Sequence, residues 1–437
     1  MPNEESTRAP LSSFDILNSL FKCAFMSNRR EFICNGLGFV SLGAAMPQLL
    51  KRAATQDAAP KDGWPAPPKG KILVVIEMAG GNDGLNTVVP YTDANYALAR
   101  PNIGLKSGDV IKISDKLALH PAMKSLGAMF EKGQVSVVSG VGYPNANRSH
   151  FHSMDIWQSG DPEMKLRERS GWLARYFDAD GRFKGNPLSG IVMGGQLPLA
   201  LEAQNSPVSV IGNGRDYEFG GDRQHQMQTL HALYQDGTVA GSNAEFVSNA
   251  GNDVYAGTRN IRKALQNYDS KADKIAGYPQ SRLAQSLQTI ARLINGDIGT
   301  RVFYASLGGF DTHADQPQAH ANLLGTLSDS IAAFYRDLAA QGLDKEVLLM
   351  TFSEFGRRVR ENGAAGTDHG AASCLFLVGS GVRGGTFGDY PSLTDLDDGY
   401  LKHTTDFRAV YSTIIEKWLG ADSRKILGGQ FTPLKFL

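Results

Sequence analysis

The chain has 437 residues, 42% of them hydrophobic, enough for one large globular domain or two ordinary ones. Lys+Arg and Asp+Glu balance at 44 each, so no global field draws the chain to nucleic acid or to an acidic membrane. Three cysteines, Cys23, Cys34 and Cys374, are too few and too odd in number for a disulfide framework.

The N-terminus reads as a leader. Arg29-Arg30 precede a moderately apolar, Gly/Ala-rich run from Phe32 to Leu50, followed by small residues and proline. This is the layout of an export signal, and the paired arginines point to the twin-arginine route. Asn35, Gly36, Gly38 and Gly43 make the run a poor stable membrane span, against the competing reading of a short anchor helix. Residues 1–54 are therefore expected to be an N-terminal extension and export signal. The twin-arginine export machinery is then a partner, and the mature protein is periplasmic or extracellular. Met26, just ahead of the signal, competes with Met1 as the start. Residues 55–70, rich in Ala, Pro, Lys and Gly, read as a flexible linker, leaving 71–437 as the folded domain.

Within that domain short continuous apolar runs alternate with helical patterns. The runs are Ile72–Met78, Val135–Ser139, Ile191–Met193, Val208–Ile211, Val302–Leu307, Val347–Phe352 and Leu375–Val378. Continuous runs suit strands buried on both faces of a mostly parallel sheet. Helices are expected over Pro121–Gly133, Ser281–Gly296, His320–Gly342 and Asp406–Gly420, several with a capping residue in front and a glycine stop. The fold class is α/β, a three-layer α/β/α sandwich, with a polar helical insertion around 213–280.

Sites in such sheets form beyond the carboxyl ends of strands. There the chain carries "AGGNDG", "GVGYPNANRSHFHSMDIW", "GGFDTHADQ" and "SEFGRR", and "GTDHG" precedes the strand at Leu375. Asp311 and His313, two apart, project to one side of an extended segment and suit a divalent metal, or form a solvated loop pair. Asp368 and His369, with Gly370 for close approach, carry the same two readings. Glu354 is a metal carboxylate ahead of Arg357 and Arg358, whose guanidinium groups suit phosphate or sulfate, or it is their structural ion-pair partner. Asn147-Arg148-Ser149 opens a helix running to Trp157. A hydroxyl at a helix N-terminus can act as a nucleophile on an anionic ester, or simply cap the helix. His150 and His152 are ligands, substrate contacts or surface residues. His403 completes a site or faces water.

In this order, "GGNDGLNTVVPY", "NRSHF…DIWQSG", "GGFDTHADQ", "SEFGRR", "GTDHG" and "HTTDFRAVY" resemble the bacterial domain-of-unknown-function family 1501 from about Lys71 to the C-terminus. That family is in turn similar to the alkaline phosphatase and sulfatase superfamily. The resemblance implies an alkaline-phosphatase-like domain with one or two divalent metals of unspecified identity (Zn, Mg, Ca or Mn). Asp83, Asp311, His313, Glu354, Asp368 and His369 are the implied ligands, and Ser149 the nucleophile, aided by Arg148 or Arg357. Asn82, His150 and His403 are substrate-side candidates. Ser353-Glu354 departs from the superfamily's usual Asp-His, and no Cys-x-Pro-x-Arg sequence supports a formylglycine sulfatase. The expected activity is exported, metal-dependent hydrolysis of phosphate or sulfate esters, with a small anionic ester or a sulfated or phosphorylated saccharide as substrate. The alternative is a non-catalytic anion- or saccharide-binding protein that retains the fold.

Overall fold

A computed structural model describes residues 70–163, 165, 170–183, 186–203, 206–212, 257–266, 268 and 275–437. The leader and nearly all of the linker lie outside these residues. So does most of the expected insertion, of which 257–266 is helical.

Among the described residues the main sheet has nine strands. In chain order they are β1 (Ile72–Ala79), β2 (Val135–Gly142), β3 (Gly190–Met193), β4 (Ser209–Ile211), β5 (Val302–Gly308), β6 (Val347–Phe352), β7 (Ser373–Val378), β8 (Gly385–Phe387) and β9 (Thr405–Asp406). All seven apolar runs are therefore strands. The spatial order is β8-β2-β7-β6-β1-β5-β3-β4, with β9 against the end of β2. Every pairing is parallel except those of β7, which runs antiparallel to both β2 and β6. The β1 register, Ala79 opposite Gly308 and Glu77 opposite Phe352, aligns the exits of β1, β5 and β6.

Helices cover both faces, which makes the three layers. α1 (Lys124–Glu131), α4 (Arg282–Asn295) and α5 (Gln316–Ala340) pack on the face carrying Val74 and Ile76. α2 (His150–Ser159), α3 (Trp172–Ala179) and α6 (Phe407–Thr413) pack on the face carrying Leu73 and Val75. Alternate residues of β1 thus enter two separate cores, which is why its sequence shows no polar alternation. α5 begins at Gln316, four residues before the expected start. Pro317 falls in its first turn, where a missing N–H costs little. Cys374 is a buried core residue, its thiol pushed up to about 12 by burial. Among the described residues no helix is long and apolar enough to cross a membrane.

Candidate functional site

β1 turns out of the sheet through Gly80 (φ +120°) and Gly81 (φ +75°), backbone values that favour glycine. A Cβ on Gly80 would lie 2.4 Å from the Asp311 nitrogen, and one on Gly81 2.2 Å from the Phe355 ring. The two glycines therefore let the loops after β1, β5 and β6 close on one another. Because β7 is antiparallel, the loop in front of it reaches the same edge. That loop is zipped to the one after β6 by an Arg357–His369 bridge and by the Arg358 amide donating to the Asp368 carbonyl at 3.0 Å. The loop after β2 closes with Asn147 Oδ1 accepting the Ser149 N–H at 2.8 Å, a turn that opens α2.

His150, Asp311 and His369 meet where these loops converge, each offering a ligand atom within 4.8 Å of the others. His313 joins them, its Nε2 3.0 Å from Asp311 Oδ1 and 3.0 Å from His369 Nε2. The partners of the other ring nitrogens assign the tautomers. His150 Nδ1 donates to Glu354 Oε1 at 2.8 Å, His369 Nδ1 to the Arg148 carbonyl at 2.9 Å, and His313 Nδ1 faces Asp368 Oδ1 at 3.4 Å. Protonation at Nδ1 leaves each Nε2 with a lone pair, and all three turn towards Asp311. His150 Nε2 is buried without a hydrogen-bond partner, 3.5 Å from Asp311 Oδ2. Lone pairs gathered in this way repel; the Arg357 guanidinium, with Nη1 3.5 Å from His313 Nε2, offsets this on one side, and a cation among the three rings would offset the rest. The contacts of 3.0–3.1 Å also match the ~3.3 Å ligand separation of a tetrahedral site with metal–nitrogen bonds of about 2 Å. The donor set therefore fits a divalent metal.

Burial opposes ionisation of Asp311, but the hydrogen bond and charge of Arg357 bring its carboxyl down to about 2. Burial likewise lowers His369, favouring the neutral imidazole a metal needs. Phe355 walls the cluster, its ring 4.9 Å from that of His150 and 4.7 Å from that of His369.

The other expected site residues take separate places. Asp83 does not reach the cluster. Fully buried, it caps the turn Gly84–Thr87, its Oδ2 accepting from Arg100 Nη1 and from Gln316 Nε2, each at 2.5 Å. Burial would raise its carboxyl, but Arg100 and the other partners overcome that and hold it low. Glu354 stands one step behind the cluster, accepting from His150 and from the Gly80 amide at 2.8 Å. Asp368 is exposed at the periphery, touching His313 and Asn362. Arg357 is buried and saturated, donating to the carbonyls of Gly80, Gly81, Phe310 and Thr367 as well as to Asp311 at 2.7 Å. Asn82 is buried, its Oδ1 accepting from Thr87 and facing His320 Nε2 at 3.0 Å. His403 packs over Gly142, at the end of β2. Ser149 is the exposed N-cap of α2, yet its hydroxyl makes no capping hydrogen bond.

A family profile described as protein of unknown function DUF1501 matches residues 70–430. The chain belongs to this family. Among solved structures, the DUF1501 chain is similar to Ps i-CgsB in complex with k-i-k-neocarrahexaose, at 11% identity, 84% of this chain and 76% of the other, and TM-score 0.36. It is also similar to the lipoteichoic acid synthase LtaP from Listeria monocytogenes, at 9% identity, 85% and 79% coverage, and TM-score 0.33. A third is an alkaline phosphatase superfamily protein from Vibrio parahaemolyticus, at 8% identity, 79% and 70% coverage, and TM-score 0.32. No curated protein matches the DUF1501 chain.

The sequence put His150, not His152, among the substrate-side candidates, and gave no sign of Arg100 or Gln316. The Glu354–His150 contact separates the two histidines, and it joins residues 204 positions apart.

Proposed function

We propose that this chain is an exported, metal-dependent hydrolase of phosphate or sulfate esters with Ser149 as its nucleophile. The observation that carries this reading is the approach of three imidazole Nε2 atoms to Asp311, at 3.0–3.5 Å, including the partnerless buried Nε2 of His150. A divalent metal held by His150, Asp311, His313 and His369 would supply a Lewis acid for the ester's charged oxygens and acidify a nearby hydroxyl. Three imidazoles and a carboxylate suit zinc or manganese better than calcium or magnesium, which prefer oxygen donors.

The chain's own groups do the rest. Ser149 stands at the positive end of α2 with a hydroxyl not engaged in capping, so its oxygen is available to attack phosphorus or sulfur. The alcohol of the ester departs with a proton, and water then frees the acid from the serine. Arg357, in contact with Asp311, keeps a fixed positive charge at the cluster. Glu354 and the Arg148 carbonyl hold the rings of His150 and His369 in the ligand tautomer.

The test is elemental analysis of protein purified without chelator, with turnover on a panel of phosphate and sulfate mono- and diesters. Ser149→Ala should keep the metal and lose at least about a hundredfold in kcat. Asp311→Ala with His369→Ala should lose the metal. Wild-type protein without metal would sink the reading, and full turnover by Ser149→Ala would remove the nucleophile assignment. Bound metal and ester without turnover by any wild-type preparation would leave the anion-binding alternative.

A further inference from the structure

Four arginines stand in or behind the loops that carry the cluster, and they divide sharply. Arg100 and Arg357 are buried and saturated by carbonyl and carboxylate acceptors, so they hold loops together. Arg148 is exposed and Arg358 half-buried. Their guanidinium carbons lie 4.1 and 4.3 Å from the centroid of the same ring, that of Tyr400. Arg358 Nη2 also donates to the Tyr400 hydroxyl at 2.5 Å. Among the described residues neither guanidinium has a carboxylate within 4.0 Å, although Asp398 and Asp368 support the Arg358 charge from further off.

We propose that Arg148, Tyr400 and Arg358 form a second anion subsite beside the metal cluster, so that the preferred ester carries an additional sulfate, phosphate or carboxylate group.

The backbone fixes this surface against the cluster. The Arg148 carbonyl accepts from His369 Nδ1, and the Arg358 amide donates to the Asp368 carbonyl. The Arg358 carbonyl is held in turn by Arg100 Nη2 at 3.0 Å. Tyr400 is presented by a tight hairpin, Leu396–Asp397 against Tyr400–Leu401. Its two turn residues, Asp398 and Gly399, both have positive φ (49° and 80°), the backbone of a two-residue hairpin turn. Two like charges on one ring repel. The ring's negative face offsets part of that, and a planar fork without a counter-ion suits bidentate pairing with a tetrahedral anion or a carboxylate. A saccharide ester with a second anionic substituent would reach both the cluster and this stack.

The inference rests on the ester-hydrolase reading for what occupies the cluster, so its test reads binding rather than turnover. Galactose monosulfate and galactose disulfate are titrated calorimetrically at low salt. Wild-type protein should prefer the disulfate by about tenfold. The double variant Arg148→Gln, Arg358→Gln should lose that preference while keeping its metal content, because His369 is held by the Arg148 backbone. Arg148→Lys with Arg358→Lys should restore part of it, and Lys132→Gln, at the C-cap of α1, should leave it intact. No preference in the wild type, or full preference in the glutamine variant, overturns the subsite. Metal and Ser149-dependent turnover without the preference would remove the subsite alone. An arginine-dependent preference in a protein that hydrolyses no ester would remove the hydrolase reading alone.

Discussion

His150 and Glu354 meet at 2.8 Å between Nδ1 and Oε1, a contact that selects which ring nitrogen carries the proton. The same Oε1 accepts the Gly80 amide, so one carboxylate ties α2 to the exits of β1 and β6. Glu354→Gln keeps the shape but offers a neutral amide that can also donate to the ring. Metal affinity should fall about ten- to a hundredfold, read by competition with a chromogenic chelator. Unchanged affinity would show that Glu354 does not support His150. Asp83 illustrates the opposite fate of a carboxylate: fully buried against Arg100, it serves the loop's own architecture.

Two serines begin helices and behave differently. Ser281 precedes α4 and its hydroxyl accepts the Ala284 amide at 3.1 Å, whereas the Ser149 hydroxyl caps nothing. Ser281→Ala should therefore lower unfolding free energy by about 1 kcal/mol, and Ser149→Ala by a few tenths, in denaturant titrations. A comparable loss at Ser149 would mean that its hydroxyl is engaged in capping. The reversed direction of β7 matters as much as any helix. It places the start of that strand, and hence His369, at the edge where its antiparallel neighbours β2 and β6 end.

Across the molecule, acid should act through a buried polar layer beneath the site. Burial lowers His320 from 6.5 to about 4, with Asp83 opposing, and burial lowers His120 to about 4 in the same way. The unfolded chain takes up these protons near 6.5 and the folded chain only near 4. Stability is therefore highest above about pH 6.5, falls as pH drops towards 4, and then levels for these two groups. A shift of that size corresponds to roughly 3 kcal/mol for His320. Thermal unfolding followed from pH 7 to about pH 4 should show this decline, and His320→Gln should flatten it. A wild-type melting temperature constant over the range would refute the assignment. Asp83, with its carboxyl held low, adds a further loss only at lower pH.

The sequence by itself determined seven of the nine strands of the main sheet, two helices closely, and the edge where the polar loops converge, but not β8, β9 or α3. Burial on both faces writes β1, β5 and β6 as continuous apolar runs, and capping residues such as Ser281 and Asp406 act on their immediate neighbours. The motif order determined the family. Tertiary structure alone decided which polar groups meet. Asp83 pairs with Arg100 17 positions away and Gln316 233 positions away, and Glu354 reaches Gly80 across 274. Choosing between His150 and His152, or between a ligand and its support, depends on such distant pairings. Local periodicity carries no record of them, because they form only when strands far apart in the chain become neighbours in the sheet.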